Sequence, residues 1–196
     1  MVISGDIIDK RKCFPWLSTL LSRLRARHGV YFVLGNHDLR VRNEMGLRDE
    51  LTRCGLIDLG GRFQVIEIRG CPVLLAGNEL PWFVPAADMQ HAPDRLGQRR
   101  PFRIAVAHSP DQIEWSRRHD FDLMLAGHTH GGQIRFPVIG PVFAPSRYGV
   151  KYCAGTFFSE PTLMHVSRGL CGTRPLRFNC APELAKLVLR SETATG

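Results

Sequence analysis

Val30-Tyr31-Phe32-Val33-Leu34 is an unbroken apolar run that stops at Gly35-Asn36-His37-Asp38. A run without alternation is the pattern of a strand covered on both faces, so the chain needs a sheet with layers above and below it. Three further segments follow the same plan. Met1, Val2 and Ile3 precede Gly5-Asp6-Ile7-Ile8-Asp9, the stretch from Phe102 to Ala107 leads to His108, and Leu123, Met124 and Leu125 precede Gly127-His128-Thr129-His130. Each delivers a polar turn to a sheet edge, where open α/β sheets place their ligands.

Helical and strand periodicities fill the space between. From Phe14 to His28, Leu17, Leu20, Leu21 and Leu24 recur at spacings of three and four, predicting an amphipathic helix stopped by Gly29. Glu44 to Cys54 reads as a second helix and Pro110 to Arg118 as a third, with proline in its first turn. Phe63 to Ile68 alternates in polarity and Pro72 to Ala76 does not, with a hairpin expected at Gly70 and Cys71. The stretch from Pro81 to Pro101 reads as a mobile or substrate-facing insertion with a short helix from Ala92 to Gln98. Gly131 to Gly149 reads as a long ordered loop. Phe157, Phe158, Thr162 to Ser167 and Leu184 to Leu189 predict a second strand-rich region. No repeat or linker divides the chain, so residues 1–196 are expected to form one domain.

Composition narrows the class. With 44% hydrophobic and 22% charged residues, disorder is excluded as a description. The excess of 26 Lys and Arg over 18 Asp and Glu gives a net charge of +8, which favours anionic partners such as phosphates, nucleic acid or acidic lipid headgroups. Arg23, Arg25 and Arg27 read as a solvated helix face. The six cysteines include no Cys-x-x-Cys pair, so neither a zinc ribbon nor a dense disulfide frame is expected, and Cys71 is expected to be a buried, inert thiol. These thiols suggest a reducing, cytoplasmic compartment. No apolar run approaches ~18 residues, and Asp6, Asp9, Lys10 and Arg11 break the start as a signal peptide.

The polar turns carry the chemistry. Phosphoesters resist hydrolysis because their oxygens repel a nucleophile and their leaving group departs as an alkoxide. Two divalent metals withdraw that charge and lower the pKa of a bridging water from ~15.7 toward ~7. Such a pair needs a bridging carboxylate, neutral imidazoles and often an amide oxygen, which Asp6, Asn36, His108, His128 and His130 supply. Each has an ordinary alternative when taken alone: Asp6 and Asn36 as turn formers, His108 as a packed core histidine. His128 and His130, two apart in a glycine-bounded turn, are the stronger signal. The conjunction at four strand ends is what packing alone does not explain.

In order and spacing, the motifs around Asp6, Asn36, His108 and His128 resemble those of the calcineurin-like metallophosphoesterases. The string HTHGGQIRFPVIGPVFAPSRYG from His128 to Gly149 looks like the bacterial branch that contains YkuE and YaeI. The resemblance implies a four-layer α/β/β/α sandwich of two mixed sheets and a hydrolase acting on phosphodiesters or pyrophosphates. That branch includes enzymes cleaving UDP-2,3-diacylglucosamine, so a lipid-linked or nucleotide-sugar substrate is implied, with peripheral contact at the inner membrane. Carried over, Asp6 bridges two ions of manganese, iron or zinc, with Asn36, His108 and His128 on one and His130 on the other. His37 stabilises phosphoryl oxygens or protonates the leaving oxygen, Asp38 orients its ring, and Asp9 supports from behind. The family's first motif, Asp-x-His, is absent. The resemblance therefore implies a missing N-terminal strand and a chain that holds only one metal. Arg147 and Arg168 are candidates for phosphate contact, since arginine forks two oxygens, or else structural partners of Asp or Glu. The alternative function is a catalytically impaired member that binds a metal or an anion. Nucleic acid is not expected, because no basic stripe with interleaved aromatics occurs.

Overall fold

Phe32, Val33 and Leu34 are fully buried, as an unbroken apolar run requires. The computed structural model describes residues 1–83, 85–172 and 176–190. The described chain runs β1 (Val2–Ser4), α1 (Phe14–Leu21), β2 (Tyr31–Val33), α2 (Glu44–Arg53), β3 (Ile57–Asp58), β4 (Phe63–Ile68), β5 (Cys71–Asn78) and β6 (Phe102–Ala107). It continues through α3 (Ile113–Arg118), β7 (Leu123–Ala126), β8 (Arg135–Phe136), β9 (Gly140–Pro141), β10 (Gly155–Ser159) and β11 (Thr162–Val166).

Two principal sheets form. The smaller, in the order β1-β2-β3, is parallel throughout rather than mixed as expected. The larger, β10-β11-β7-β6-β5-β4, has a parallel centre and antiparallel outer strands. Period-two alternation sorts its side chains into three cores. Phe32 and Leu34 pack with Leu17 of α1 and Leu47 and Leu51 of α2. Their neighbours Tyr31 and Val33 point the other way and meet Val73, Leu75 and Val106 of the larger sheet. Leu74, Ala76, Ala105 and Met124, on the opposite face of that sheet, pack against Ile113 and Trp115 of α3. Three cores between successive layers make the four-layer α/β/β/α order.

Several local expectations change. Helix α1 stops at Leu21, and residues 23–28 alternate between exposed arginines and half-buried neighbours. Two turns, closed by Leu24 N–H on the Leu21 carbonyl and Gly29 N–H on the Ala26 carbonyl, replace the helix there. The β4–β5 turn is Arg69-Gly70, both left-handed, so Cys71 begins β5 and is exposed instead of buried. Residues 92–98 form turns and a Leu96–Arg99 bridge rather than a helix, interrupted by Pro93 and by Gly97 at positive φ. The expected long loop contains the short antiparallel pair β8 and β9. Residues 184–189 form no strand. Leu184, Leu187 and Leu189 instead line a cavity of about 500 Å³ between β1 and the larger sheet.

Candidate metal centre

The ends of β1 and β2 in the smaller sheet and of β6 and β7 in the larger one meet at a single place. Asp6 follows β1, Asn36 follows β2, His108 follows β6 and His128 follows β7. Asp6, His108 and His128 each offer a ligand atom, all within 4.8 Å of one another. His108 Nε2 lies 3.3 Å from Asp6 Oδ1, 3.0 Å from Asn36 Oδ1 and 3.1 Å from His128 Nδ1. The backbone is bent to achieve this. Asp6, His128 and His130 all have positive φ, at 55°, 70° and 51°, a region that non-glycine residues seldom occupy and that clusters at functional sites.

The protons in the cluster follow from one contact. His108 Nδ1 is 2.6 Å from the Ser4 carbonyl, so Nδ1 carries hydrogen and donates. That leaves Nε2 among an aspartate oxygen, an amide oxygen and another imidazole. Two oxygens and an imidazole nitrogen around Nε2 are donors of the kind that gather about a divalent ion. Asp6 Oδ2 is also buried with no hydrogen-bond partner. An orphaned carboxylate oxygen among neutral nitrogen and oxygen donors fits a divalent cation.

Electrostatics keep the donors in ligand form. Burial pushes the Asp6 carboxyl up, but His108 and the His37 amide outweigh it and hold the group down at about 2. Burial and the neighbouring His108 lower His128 to about 4, and burial lowers His130 as well. Both histidines are neutral near pH 7. Their folded values lie below the ordinary 6.5, so their contribution to stability is fully present above that pH and is lost as pH falls through the folded value, which is about 4 for His128. Asp38, raised to about 6, acts in the opposite sense over the same window, so the expected readout is the comparison with His128→Gln: as pH falls from 6.5 to 4, the metal-free protein should lose melting temperature relative to the variant. An equal slope in the variant would remove His128 as its source.

The remaining expected residues divide. The His37 ring is held by Asp9, not by Asp38: Nδ1 lies 2.8 Å from Asp9 Oδ1, which also accepts from Arg40. Asp38 is buried and accepts from the backbone N–H groups of Ile7, Ile8 and Gly35, tying the β1 and β2 turns together. Burial pushes Asp38 up to about 6 despite those amides. His130 lies outside the tight three-residue group, so Asp6 and His130 do not form a second cluster of three donors among the described residues. Arg147 is tied to Asp111 through its backbone N–H and its guanidinium and stacks on Tyr148. Arg168 donates to Glu183 at 2.8 Å. Arg168 therefore has the structural pairing that was the alternative to phosphate contact, whereas the Arg147 guanidinium donates to the Asp111 backbone carbonyl rather than to its carboxylate.

Two features of the site go beyond the sequence reading, in which Trp82 is one of several aromatics, with Phe83, Phe136, Phe143 and Tyr148, suited to an apolar substrate body or to a core, and Glu79 has no part. Trp82 packs its indole against both imidazoles, with ring centroids 5.1 Å from His108 and 4.8 Å from His128. Glu79, at the end of β5, is buried and accepts the Leu34 N–H at 2.5 Å while paired with Arg48 of α2, which also reaches Asp58. Leu34 immediately precedes Gly35-Asn36, so this ion network fixes the approach to Asn36. The signal was present in Asn78-Glu79, which ends a further apolar run, Val73 to Ala76, on the pattern of the other four.

Known proteins share this arrangement of motifs. Residues 1–132 match the calcineurin-like phosphoesterase family. The uncharacterized metallophosphoesterase YkuE of Bacillus subtilis strain 168 is 32% identical over 203 aligned residues, covering 97% of this chain and 68% of YkuE. The phosphodiesterase YaeI of Escherichia coli K12 is 32% identical over 200, covering 96% of this chain and 69% of YaeI. A bovine transmembrane protein with a metallophosphoesterase domain is 28% identical over 97% of this chain and 45% of its own length. No solved structure matches. No helix among the described residues is long and apolar enough to cross a membrane. Strand ends from two sheets converging on Asp6, His108 and His128, together with these matches over most of its length, make the chain a member of the calcineurin-like phosphoesterase family, a metallophosphoesterase and hydrolase.

Proposed function

We propose that the chain hydrolyses a phosphodiester or pyrophosphate in a substrate that joins an anionic headgroup to an apolar body, such as UDP-2,3-diacylglucosamine, with Asp6, Asn36, His108 and His128 holding a divalent ion. The observation that carries this reading is the buried, unpartnered Oδ2 of Asp6 beside three neutral donors. A bound manganese, iron or zinc ion supplies charge withdrawal from the phosphoryl oxygens and a water of lowered pKa. His37 follows Asn36 directly, and Asp9 fixes its ring through Nδ1, leaving Nε2 as the atom available to stabilise a phosphoryl oxygen or pass a proton to the leaving oxygen. Trp82 covers the two imidazoles and excludes water from that side. The net charge of +8 favours an anionic substrate, and the similarity to YaeI, a phosphodiesterase, supports the diester class.

A second reading is favoured by the position of His130 outside the tight group: a chain with one complete donor set that binds a metal or an anion without turnover. Hydrolysis of a chromogenic phosphodiester separates the two. Turnover should rise with manganese and vanish in His128→Ala. Absence of turnover with manganese, iron and zinc would leave the binding protein.

A further inference from the structure

The turn bearing His128 and His130 runs straight into the β8–β9 hairpin. Its apolar side chains face solvent: Phe136, Val138, Ile139, Val142 and Phe143 are 46%, 107%, 74%, 59% and 70% exposed. Scattered surface hydrophobics need no explanation, but five on one short hairpin are a marker of an interaction surface. The backbone adds a second observation. Val138 has φ 68°, a conformation natural to glycine or asparagine and strained for a β-branched residue. Neither the exposure nor the strain at Val138 stabilises the folded chain, so both point to something outside it.

Charge identifies the partner. No Asp or Glu occurs between Asp122 and Glu160, whereas Arg135, Arg147 and Lys151 do. Arg147 and Lys151 are exposed beside Tyr148 and Tyr152. An apolar tip whose own segment carries cations and no acidic residue, with Asp111 at its base engaged by Ser146 and the Arg147 N–H, is complementary to the headgroup region of an anionic bilayer. We propose that the β8–β9 hairpin inserts its tip into a membrane rich in acidic lipid. The hairpin is rooted on the metal centre's own turn, since Arg135 Nη1 donates to the Gly131 carbonyl at 3.1 Å. Insertion therefore brings the metal centre to the level of the lipid headgroups. The proposal goes beyond the hydrolytic reading and is tested without substrate.

The test is co-sedimentation of the full chain with vesicles of phosphatidylcholine alone and of equal parts phosphatidylcholine and phosphatidylglycerol. Binding is expected to the acidic vesicles and to weaken on the order of 10-fold or more in Val138→Asp/Ile139→Asp. Phe158→Asp, at an exposed position on β10, should bind as wild type. Ile139→Trp should show blue-shifted emission with acidic vesicles, and unchanged circular dichroism confirms that each variant folds. No wild-type binding, equal binding by the double variant, or a wild-type dimer that the double variant dissolves without any vesicle binding each overturns the proposal. Turnover of the soluble diester in the same samples reports separately on the catalytic reading.

Discussion

Asp6→Asn is expected to lower manganese affinity by about 100-fold or more and phosphodiester turnover by roughly 1000-fold. It should also lower the melting temperature of the metal-free protein at neutral pH, because a carboxyl held down at about 2 is one whose ionised form the fold stabilises. Asp6 is the only carboxylate in the converging set, so asparagine leaves neutral donors alone around a dication. The amide oxygen can still accept the His37 N–H that Oδ1 accepts now. Its amino group replaces an oxygen that is buried without a partner, and it can donate into the cluster. The amide softens that loss of stability but removes the negative charge that a dication requires. Calorimetric titration with manganese and paired thermal melts measure both arms. A variant that binds manganese as tightly as wild type would show that Asp6 is not a ligand.

Gly35→Ala is expected to cost about 1–3 kcal/mol through overpacking and turnover of the order of 100-fold through misplacement of the ligands. The cause is space. A β-carbon at Gly35 would sit 2.5 Å from His108 Cε1 and 2.6 Å from Nδ1, and would also strike Asp6 Oδ1. The ring cannot retreat, because it is buried and its Nδ1 is bonded to Ser4. Gly70→Ala provides the comparison: no atom lies within 4 Å of its new methyl group, but φ is +74°. That variant should lose about 1 kcal/mol to backbone strain and keep its turnover. Thermal melts and rates with the chromogenic diester distinguish the two glycines. Equal turnover by Gly35→Ala and wild type would show that the close approach of Gly35 to His108 is not needed.

The four strand ends were legible because two independent signals coincided there, an unbroken apolar run and a short polar turn after it. The same logic would have found Glu79 had Val73 to Ala76 been followed to its end. What the sequence concealed depends on contacts between distant segments. Asp38 stands next to His37 in the chain, yet its side chain turns toward amides of the β1 turn, while Asp9 reaches across from that turn to the ring. Trp82 looked like one aromatic among several in a proline-rich insertion, and only the fold sets it on the two imidazoles. Helix α1 was overextended because Leu24 fitted the helical spacing, although Arg23, Arg25 and Arg27 already alternated with Leu24 and Ala26. A strand at residues 184–189 was expected from composition, but a strand forms only where a neighbour offers a ladder.

β1 is three residues long and hydrogen-bonded to a single neighbour, with the 500 Å³ cavity along its side. Among the described residues Asp6, the carboxylate of the converging set, follows a short strand paired on one side, while His108 and His128 follow strands paired on both sides. Local opening of β1 therefore withdraws Asp6 and leaves the imidazoles in place. An ion that binds only the closed form adds its binding energy to the amide protection of β1. In the metal-free chain, the affinity of the centre and the exchange rate of three backbone amides are two readings of the same equilibrium.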